Sequence, residues 1–303
     1  VDTGIIIFEP KTKESSNVKN IVISCGIHGN ETAPIEIVNA LVKQLLSGAI
    51  SLKHRVMFII GNLSAIKCNK RFIADNLNNI FCCDFSKQVA KGNYEKSRVI
   101  VLESAISEFY SDGASCNENR YHYDLHTSIR ASEYDWFAIH PYIGSAMVDK
   151  SQLCFLKSAG VNTVLFANTP ANTFSYFSSK EFNALGFTIE LGQVKPIGRN
   201  KLSEFNPINK ALTEESIDYG AFHPGDYNLF KMHQRIYKQS EQFMFNFSNQ
   251  TKNFASFSKD ALIATDGDIR YYAKQGGEAI LFPNINVPIG NRALLTVAPI
   301  KTL

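Results

Sequence analysis

The sequence lacks the features that mark several large classes of protein. Its strongest apolar run, residues 56–60, ends at Gly61 and is far shorter than the roughly 18 residues needed to cross a bilayer. The net charge is only +3, and Lys and Arg are scattered, so neither nucleic acid nor a membrane is expected as a partner. Hydrophobic residues make up 45% of the 303-residue chain, a proportion typical of globular proteins. We therefore expect a small-molecule ligand.

Cysteine is also sparse and lacks a metal-binding or disulfide pattern. No two cysteines have C-x-x-C spacing and two are adjacent, which suits neither a zinc knuckle nor a small disulfide framework. Reduced thiols in a cytoplasmic protein are the simplest interpretation. The six cysteines are Cys25, Cys68, Cys82, Cys83, Cys116 and Cys154.

Apolar patterning predicts alternating strands and helices up to about residue 225. This alternation indicates an α/β fold with a parallel or mixed sheet and helices on both faces, in which ligands bind beyond the carboxyl ends of strands. The later sequence has short β-type runs and turn signals, so we predict a catalytic domain over 1–225 and a smaller β-rich domain over 226–303. Strands are predicted at 21–24, 56–60, 121–128, 162–167 and 187–191, and helices at 32–46 and 99–110.

His28 and Glu31 lie three positions apart where the first predicted strand gives way to a helix. Both side chains can point into one crevice there, and a catalytic zinc commonly takes three protein ligands from His and carboxylate. The alternative is a solvated loop in which Asn30 or Thr32 caps the helix. If the pair binds zinc, a third ligand must come from elsewhere.

The stretch "YHYDLHTS", residues 121–128, offers that third ligand. Strand periodicity places His122, Asp124 and His126 on one face. We predict His126 as the ligand because it lies nearest the carboxyl end, with Asp124 as the acceptor that fixes an imidazole tautomer. An ordinary half-buried strand is the alternative.

Glu190 stands in an apolar strand, "FTIELG", just before a glycine. A carboxylate in such a position costs free energy unless it has a partner or a task, and a general base in metal-assisted hydrolysis would suit it. A structural ion pair is the competing interpretation. Cys25 could act as a thiol nucleophile with His28, but a cysteine at a strand end is more often a small buried residue.

Five uncommon motifs occur in order along the chain: "GIHGNETAPIE" (26–36), "GNLSAIKCNKRF" (61–72), "DLHTSIR" (124–130), "IELGQVKPIGRNKLSEF" (189–205) and "AILFPNINVPIGNRA" (279–293). They resemble motifs of the succinylglutamate desuccinylase and aspartoacylase family of zinc hydrolases. The likeness extends over nearly the whole chain and implies a fold like that of the zinc carboxypeptidases. It also implies one Zn²⁺ per chain, with His28, Glu31 and His126 as its ligands and Glu190 as the general base.

The same resemblance implies a reaction and further site residues. The reaction is hydrolysis of N-succinyl-L-glutamate, a small anionic N-acyl amino acid, to succinate and glutamate in arginine catabolism. Arg71 would polarise the amide carbonyl, a role suited to a planar two-donor cation. Asn78, Arg130 and Lys195 would contact the substrate, although an isolated Lys or Arg is by default solvated surface.

The chain departs from the family at positions near the expected substrate site. Asn79 stands where the family usually has arginine, Gln193 where lysine is expected, and Asn76 where an acidic residue is typical. Loss of a charge-assisted bond costs roughly 1.5–3 kcal/mol of binding. Two alternatives therefore stay open: a different N-acyl amino acid such as N-acetylaspartate, or a binding protein without activity.

Overall fold

A mixed sheet runs through most of the molecule. The computed structural model describes residues 2–10, 18–83, 92–112, 120–144, 148–213 and 221–301. Strands β1 to β14 span Ile5–Phe8, Asn20–Cys25, Arg55–Ile60, Arg120–Ser128, Trp136–His140, Thr163–Phe166, Leu185–Gln193, Asn228–Tyr237, Phe243–Phe245, Ser256–Phe257, Leu262–Asp266, Ile269–Tyr272, Glu278–Leu281 and Arg292–Pro299. Helices α1 to α6 span Thr32–Leu46, Leu63–Lys67, Tyr94–Asp112, Lys150–Ser158, Phe174–Phe182 and Asn206–Thr213. Short 3-10 helices cover Leu77–Asn79, Leu202–Phe205 and Pro224–Asp226.

The strand order places the carboxyl ends of three central strands together. Eleven strands of the described chain pair in the order β1-β3-β2-β4-β7-β5-β6-β8-β14-β13-β10. Strands β3, β2, β4 and β7 are mutually parallel, whereas β1 and β5 pair antiparallel with β3 and β7. Because β2, β4 and β7 are adjacent and parallel, the residues at their carboxyl ends lie at one edge of the sheet.

Helices cover both faces of this sheet, as the alternating pattern predicts. Helix α1 buries one side, including Ile37, Val38 and Leu41, in a core that α4 and α6 share. Helices α3 and α5 pack on the opposite face, where Leu102 and Phe174 belong to a second core. Burying apolar stripes from two helical layers accounts for the nearly continuous apolar character of the central strands.

The C-terminal part is rich in β-structure, as expected. Strands β9, β11 and β12 form a separate three-stranded sheet, and a core that includes Ile263 and Leu294 packs against it. Strand β8 pairs in parallel with β6 and antiparallel with β14, so the large sheet continues through the region around residue 225. The division into domains at that residue stays a prediction.

The described helices and cysteines match what the short apolar runs and the cysteine spacing predict. None of the described helices is long and apolar enough to span a membrane. Cys25 is fully buried, and burial raises the pKa of its thiol, which argues for the packing role over the nucleophile role. Four other described cysteines are also free thiols, while Cys116 lies outside the described residues. The cytoplasmic localisation stays a prediction.

Candidate metal centre and active site

The loop between β2 and α1 carries His28 and Glu31 into the interior. Strand β2 ends at Cys25, and Glu31 is the N-cap residue of α1, although its side chain forms no capping bond. Both site residues are buried, with only 3% of His28 and 2% of Glu31 exposed. The solvated-loop alternative is therefore wrong. Thr32 does not cap the helix and instead donates from its hydroxyl to the carbonyl of Lys195.

The Glu31 carboxylate lies between two imidazoles. His28 Nδ1 is 2.8 Å from Glu31 Oε1, and His126 Nδ1 is 2.8 Å from Glu31 Oε2. His126 reaches this point from the carboxyl-terminal half of β4, where its ring meets that of His28 edge to face at 5.1 Å. One donor atom from each residue lies within 4.8 Å of the other two. In the part of the chain that the structure describes, these three residues form the one such cluster.

Each imidazole is oriented through the nitrogen that points away from Glu31. His126 Nε2 lies 2.9 Å from Asp124 Oδ2, and His28 Nε2 lies 2.9 Å from Asn76 Oδ1. An acceptor on Nε2 fixes the proton there, which leaves Nδ1 as the atom that can bind a metal. Both Nδ1 atoms then face the same carboxylate.

The donor set fits a zinc ion. His28 Nδ1 is buried, and although it is close to Glu31, it has no hydrogen bond of acceptable geometry. Buried polar atoms are rarely left in this condition without a reason. Two imidazole nitrogens and a carboxylate are the three protein ligands typical of a catalytic zinc with one open position.

Burial and the closeness of the charged groups determine the pKa values in the cluster. Burial alone would raise the pKa of the Glu31 carboxyl, but His28 and His126 hold that pKa well below its usual range. Burial lowers the pKa of His28. Burial also opposes the charged form of His126, yet Asp124 and Glu31 together raise its pKa well above the usual value. The cluster is thus built around a charged carboxylate that attracts cations.

Glu190 lies beside this cluster on the neighbouring strand. In the parallel pairing of β4 with β7, Glu190 is the partner of His126. Burial and, after it, the charge of Glu31 together raise the pKa of Glu190 to about 7, although His126 and Arg71 oppose the rise. Ser128 donates a hydrogen bond to Glu190 Oε2 over 3.1 Å. His126 and Arg71 are close enough to favour the charged form of Glu190, and its role as general base stays a prediction.

Arg71 reaches the metal centre from the loop after α2. Its Nη1 donates to Glu31 Oε1 over 2.7 Å, and its backbone carbonyl accepts from Gly29 N–H. About a third of the Arg71 side chain, 31%, is exposed. The guanidinium therefore lies between the candidate metal ligands and solvent, where a substrate would enter.

The three predicted substrate-binding residues lie in different surroundings. Asn78 is half-buried, and its Oδ1 accepts a hydrogen bond from the backbone at the start of α5. Lys195 is exposed. Arg130 donates from Nη1 to the carbonyls of Asn249 and Thr251, both at 2.6 Å, and so ties the end of β4 to the C-terminal region. The hydrogen bonds of Asn78 and Arg130 go to different parts of the chain, and the role of all three residues stays a prediction.

Two consecutive parts of the chain match the two domains of one known family. Residues 17–216 match the family described as Succinylglutamate desuccinylase/Aspartoacylase catalytic domain, and residues 217–300 match the AstE/AspA barrel-sandwich hybrid domain. The chain belongs to the succinylglutamate desuccinylase/aspartoacylase family. The resemblance found in the motifs is thereby confirmed, and the C-terminal β-rich part is the hybrid domain of this family.

Relatives within the family match over almost the full chain. A protein of Shewanella denitrificans named succinylglutamate desuccinylase is 44% identical over 98% of this chain and 87% of its own length. The crystal structure of succinylglutamate desuccinylase from Vibrio cholerae has a TM-score of 0.89 at 31% identity and covers 98% of this chain and 85% of its own. Murine aminoacylase 3 shares the fold at 14% identity, with a TM-score of 0.64 and coverage of 95% and 97%.

Sequence reasoning missed several residues that support the family's zinc site in this chain. Asn76 binds His28, Ser128 binds Glu190, and Ser24 donates to Asp124 Oδ1 over 2.5 Å. Ser24 could have been identified only from the parallel pairing of β2 with β4, because that pairing places Ser24 opposite Asp124. That register is a tertiary feature, and local periodicity does not specify it.

Proposed function

We propose that the protein hydrolyses the amide bond of N-succinyl-L-glutamate to succinate and L-glutamate, with one Zn²⁺ held by His28, Glu31 and His126. The observation that carries the proposal is the buried cluster of three converging donors with Glu190 on the adjacent strand. The substrate follows from the relatives of 38% to 44% identity that bear the name succinylglutamate desuccinylase.

The metal ligands and Glu190 divide the work of hydrolysis. Zinc held by the cluster would lower the pKa of a bound water to about 7 and polarise a carbonyl. The Glu190 carboxylate, fixed by Ser128, can accept a proton from the attacking water and pass it to the departing amine nitrogen. Its pKa of about 7 suits both transfers near neutral pH.

Arg71 supplies the positive charge that the carbonyl oxygen needs as negative charge develops on it. The guanidinium already lies 2.7 Å from Glu31, and its other donors can turn toward a substrate placed against the cluster. Stabilising an oxyanion with fixed donors is commonly the largest catalytic contribution of such a site.

Substrate selection is the part of the proposal for which an alternative has its own support. Asn79 is an exposed neutral residue, and Gln193 is exposed and donates to the carbonyl of Ile129. Two expected cations are therefore replaced by amides, which favours a less acidic N-acyl amino acid as the alternative substrate. We assign carboxylate binding to Arg130 and Lys195, with Asn78 as an additional polar contact.

Parallel assays of N-succinylglutamate, N-acetylaspartate and N-acetylglutamate test the function. Before assay, the purified protein should contain about one equivalent of zinc, which His28→Ala and His126→Ala should lose. We expect N-succinylglutamate to have the highest kcat/KM. A preference for either acetyl compound would transfer the activity to the alternative substrate, and no hydrolysis by zinc-loaded protein would indicate a binding protein.

A further inference from the structure

A line of buried hydrogen bonds continues from Asp124 away from the metal centre. Ser24 Oγ lies 2.5 Å from Asp124 Oδ1 and 2.8 Å from His122 Nε2. On the other side of the imidazole, His122 Nδ1 lies 2.7 Å from Ser178 Oγ. Each member of the line is at most 1% exposed, and the line joins β2, β4 and α5. The hydrogen bonds of Ser24, His122 and Ser178 in this line go to one another and to Asp124, not to the three candidate metal ligands.

Counting protons gives each bond in this line a single direction. The Asp124 carboxylate only accepts, so the one hydroxyl proton of Ser24 goes to Asp124. Ser24 then has no proton for His122, and the bond between them requires a proton on His122 Nε2. In a neutral imidazole Nδ1 is then bare and must accept from Ser178.

The surroundings of His122 support the neutral form. Its ring is fully buried and stands perpendicular to the ring of Phe174, with centroids 4.7 Å apart. Burial lowers the pKa of His122 to about 4. A neutral imidazole held by two hydroxyl groups and an aromatic ring has one orientation and one tautomer.

We propose that Ser24 and His122, anchored by Ser178, are positioning residues that orient Asp124 and so keep His126 in the tautomer that binds metal. Asp124 uses Oδ1 to accept from Ser24 and Oδ2 to accept from His126 Nε2. With both oxygens engaged, the carboxylate cannot turn away from His126, and Nδ1 remains available to the metal. This inference rests on the metal site of the proposed function.

A hydrophobic side chain at position 122 could fill the same space and would need no buried hydrogen-bond partners. Instead, His122 has two bonds, and the bond from its Nε2 leads through Ser24 only to Asp124. Partners of this kind typically change metal affinity 10- to 100-fold when they are removed. We therefore expect the effect of a substitution to decline with its distance from Asp124 along the line.

The experiment compares Ser24→Ala, His122→Phe and Ser178→Ala in the zinc-loaded protein. The zinc dissociation constant, measured by competition with a chelator, should rise about 10-fold in Ser24→Ala, less in His122→Phe and least in Ser178→Ala. The visible spectrum of the Co²⁺-substituted protein should shift in the same order. His122→Gln, whose amide can still donate to Ser24, should restore part of the affinity.

Tyr123→Phe is the matched control. It removes a buried hydroxyl that donates to Gln152 over 2.7 Å from the opposite face of the same strand. This control should lower the unfolding temperature and leave zinc affinity and the cobalt spectrum unchanged. If the three substitutions behave like Tyr123→Phe, the line only stabilises the fold and the proposal is overturned. If wild-type protein fails to retain zinc, the proposed metal site fails and the role of Ser24 and His122 fails with it. If wild-type protein retains zinc and the three substitutions leave its zinc affinity unchanged, only the role of Ser24 and His122 fails.

Discussion

At the scale of single residues, the buried carboxyl group of Glu190 makes the stability of the protein depend on pH. Its side chain is only 7% exposed, and burial with the nearby Glu31 charge raises its pKa to about 7. An unfolded glutamate has a pKa of about 4.3, so the folded state holds this proton more tightly. The stability that Glu190 contributes is present in full below the unfolded pKa. It is lost as pH rises through the folded pKa of about 7.

The substitution Glu190→Gln tests this in metal-free protein, because Gln keeps the shape and removes the charge. At pH 8 the variant should be more stable than wild type by about 3–4 kcal/mol, and at pH 4 the difference should be near zero. Urea unfolding at the two pH values measures it. An equal stability difference at both pH values would show that the charge of Glu190 is not the cause.

In zinc-loaded protein the variant Glu190→Gln should keep its metal and lose about 10²- to 10⁴-fold in turnover.

Arg71 allows a second test at this scale. Because Arg71 is not one of the three candidate metal ligands, removal of its side chain should leave the zinc bound and act on the transition state. We expect Arg71→Ala to lower kcat about 10²- to 10³-fold. Arg71→Lys should recover only part of this loss, because lysine lacks the planar fork of donors. A raised KM with unchanged kcat would instead assign Arg71 to ground-state substrate binding.

At the scale of elements, the turn from β2 into α1 depends on a close approach between backbones. A Cβ added to Gly29 would lie 2.3 Å from the carbonyl carbon of Ala65 and from the nitrogen of Ile66, both in α2. Backbone atoms in a helix cannot yield as a side-chain tip can. The glycine therefore lets the loop that carries His28 pack directly on α2.

We expect Gly29→Ala to displace this loop, to lower the free energy of unfolding by about 1–3 kcal/mol and to weaken zinc binding. Gly276→Ala is the matched control, because a Cβ there would meet nothing within 4 Å. Thermal unfolding and zinc content of the two variants measure the contrast. If both variants retain zinc and melt alike, the close approach is unimportant.

Elements whose signal is local could be predicted from the sequence. Helix α1 spans Thr32–Leu46 as expected, and β2 and β3 begin within one residue of the predicted positions. Helix α3 begins at Tyr94, five residues before its predicted start at residue 99. The early start follows from Asn93, whose Oδ1 accepts from Lys96 N–H and so caps the first turn.

Features that depend on strand order could not be predicted in the same way. His28, Glu31 and His126 were identifiable because strand-end histidines and carboxylates are unusual in apolar segments. Their hydrogen-bond partners, including Asn76, come from separate parts of the chain and depend on register and loop packing. The antiparallel insertion of β5 between β7 and β6 likewise has no local signal.

At the scale of the whole molecule, one asparagine joins the loop after β4 to the C-terminal part. Asn253 is fully buried; its backbone accepts from Glu133 N–H and donates to the carbonyl of Ala131. Its side chain donates to Ser132 Oγ and accepts from Phe282 N–H. Together with the continuous sheet through β6, β8 and β14, this junction should make both parts unfold together.

The substitution Asn253→Ala tests that coupling. It leaves the half-buried Phe282 N–H without its acceptor and the buried Ser132 hydroxyl without its donor, and unpaired buried groups cost about 1–3 kcal/mol each. We expect a single unfolding transition in wild type and a loss of about 2–4 kcal/mol in the variant, measured by urea unfolding followed by circular dichroism and fluorescence. Asn246→Ala is the control, because its exposed side chain donates to the carbonyl of Leu262 inside the C-terminal part. Two separate transitions in wild-type protein would show that the parts fold independently and that Asn253 does not couple them.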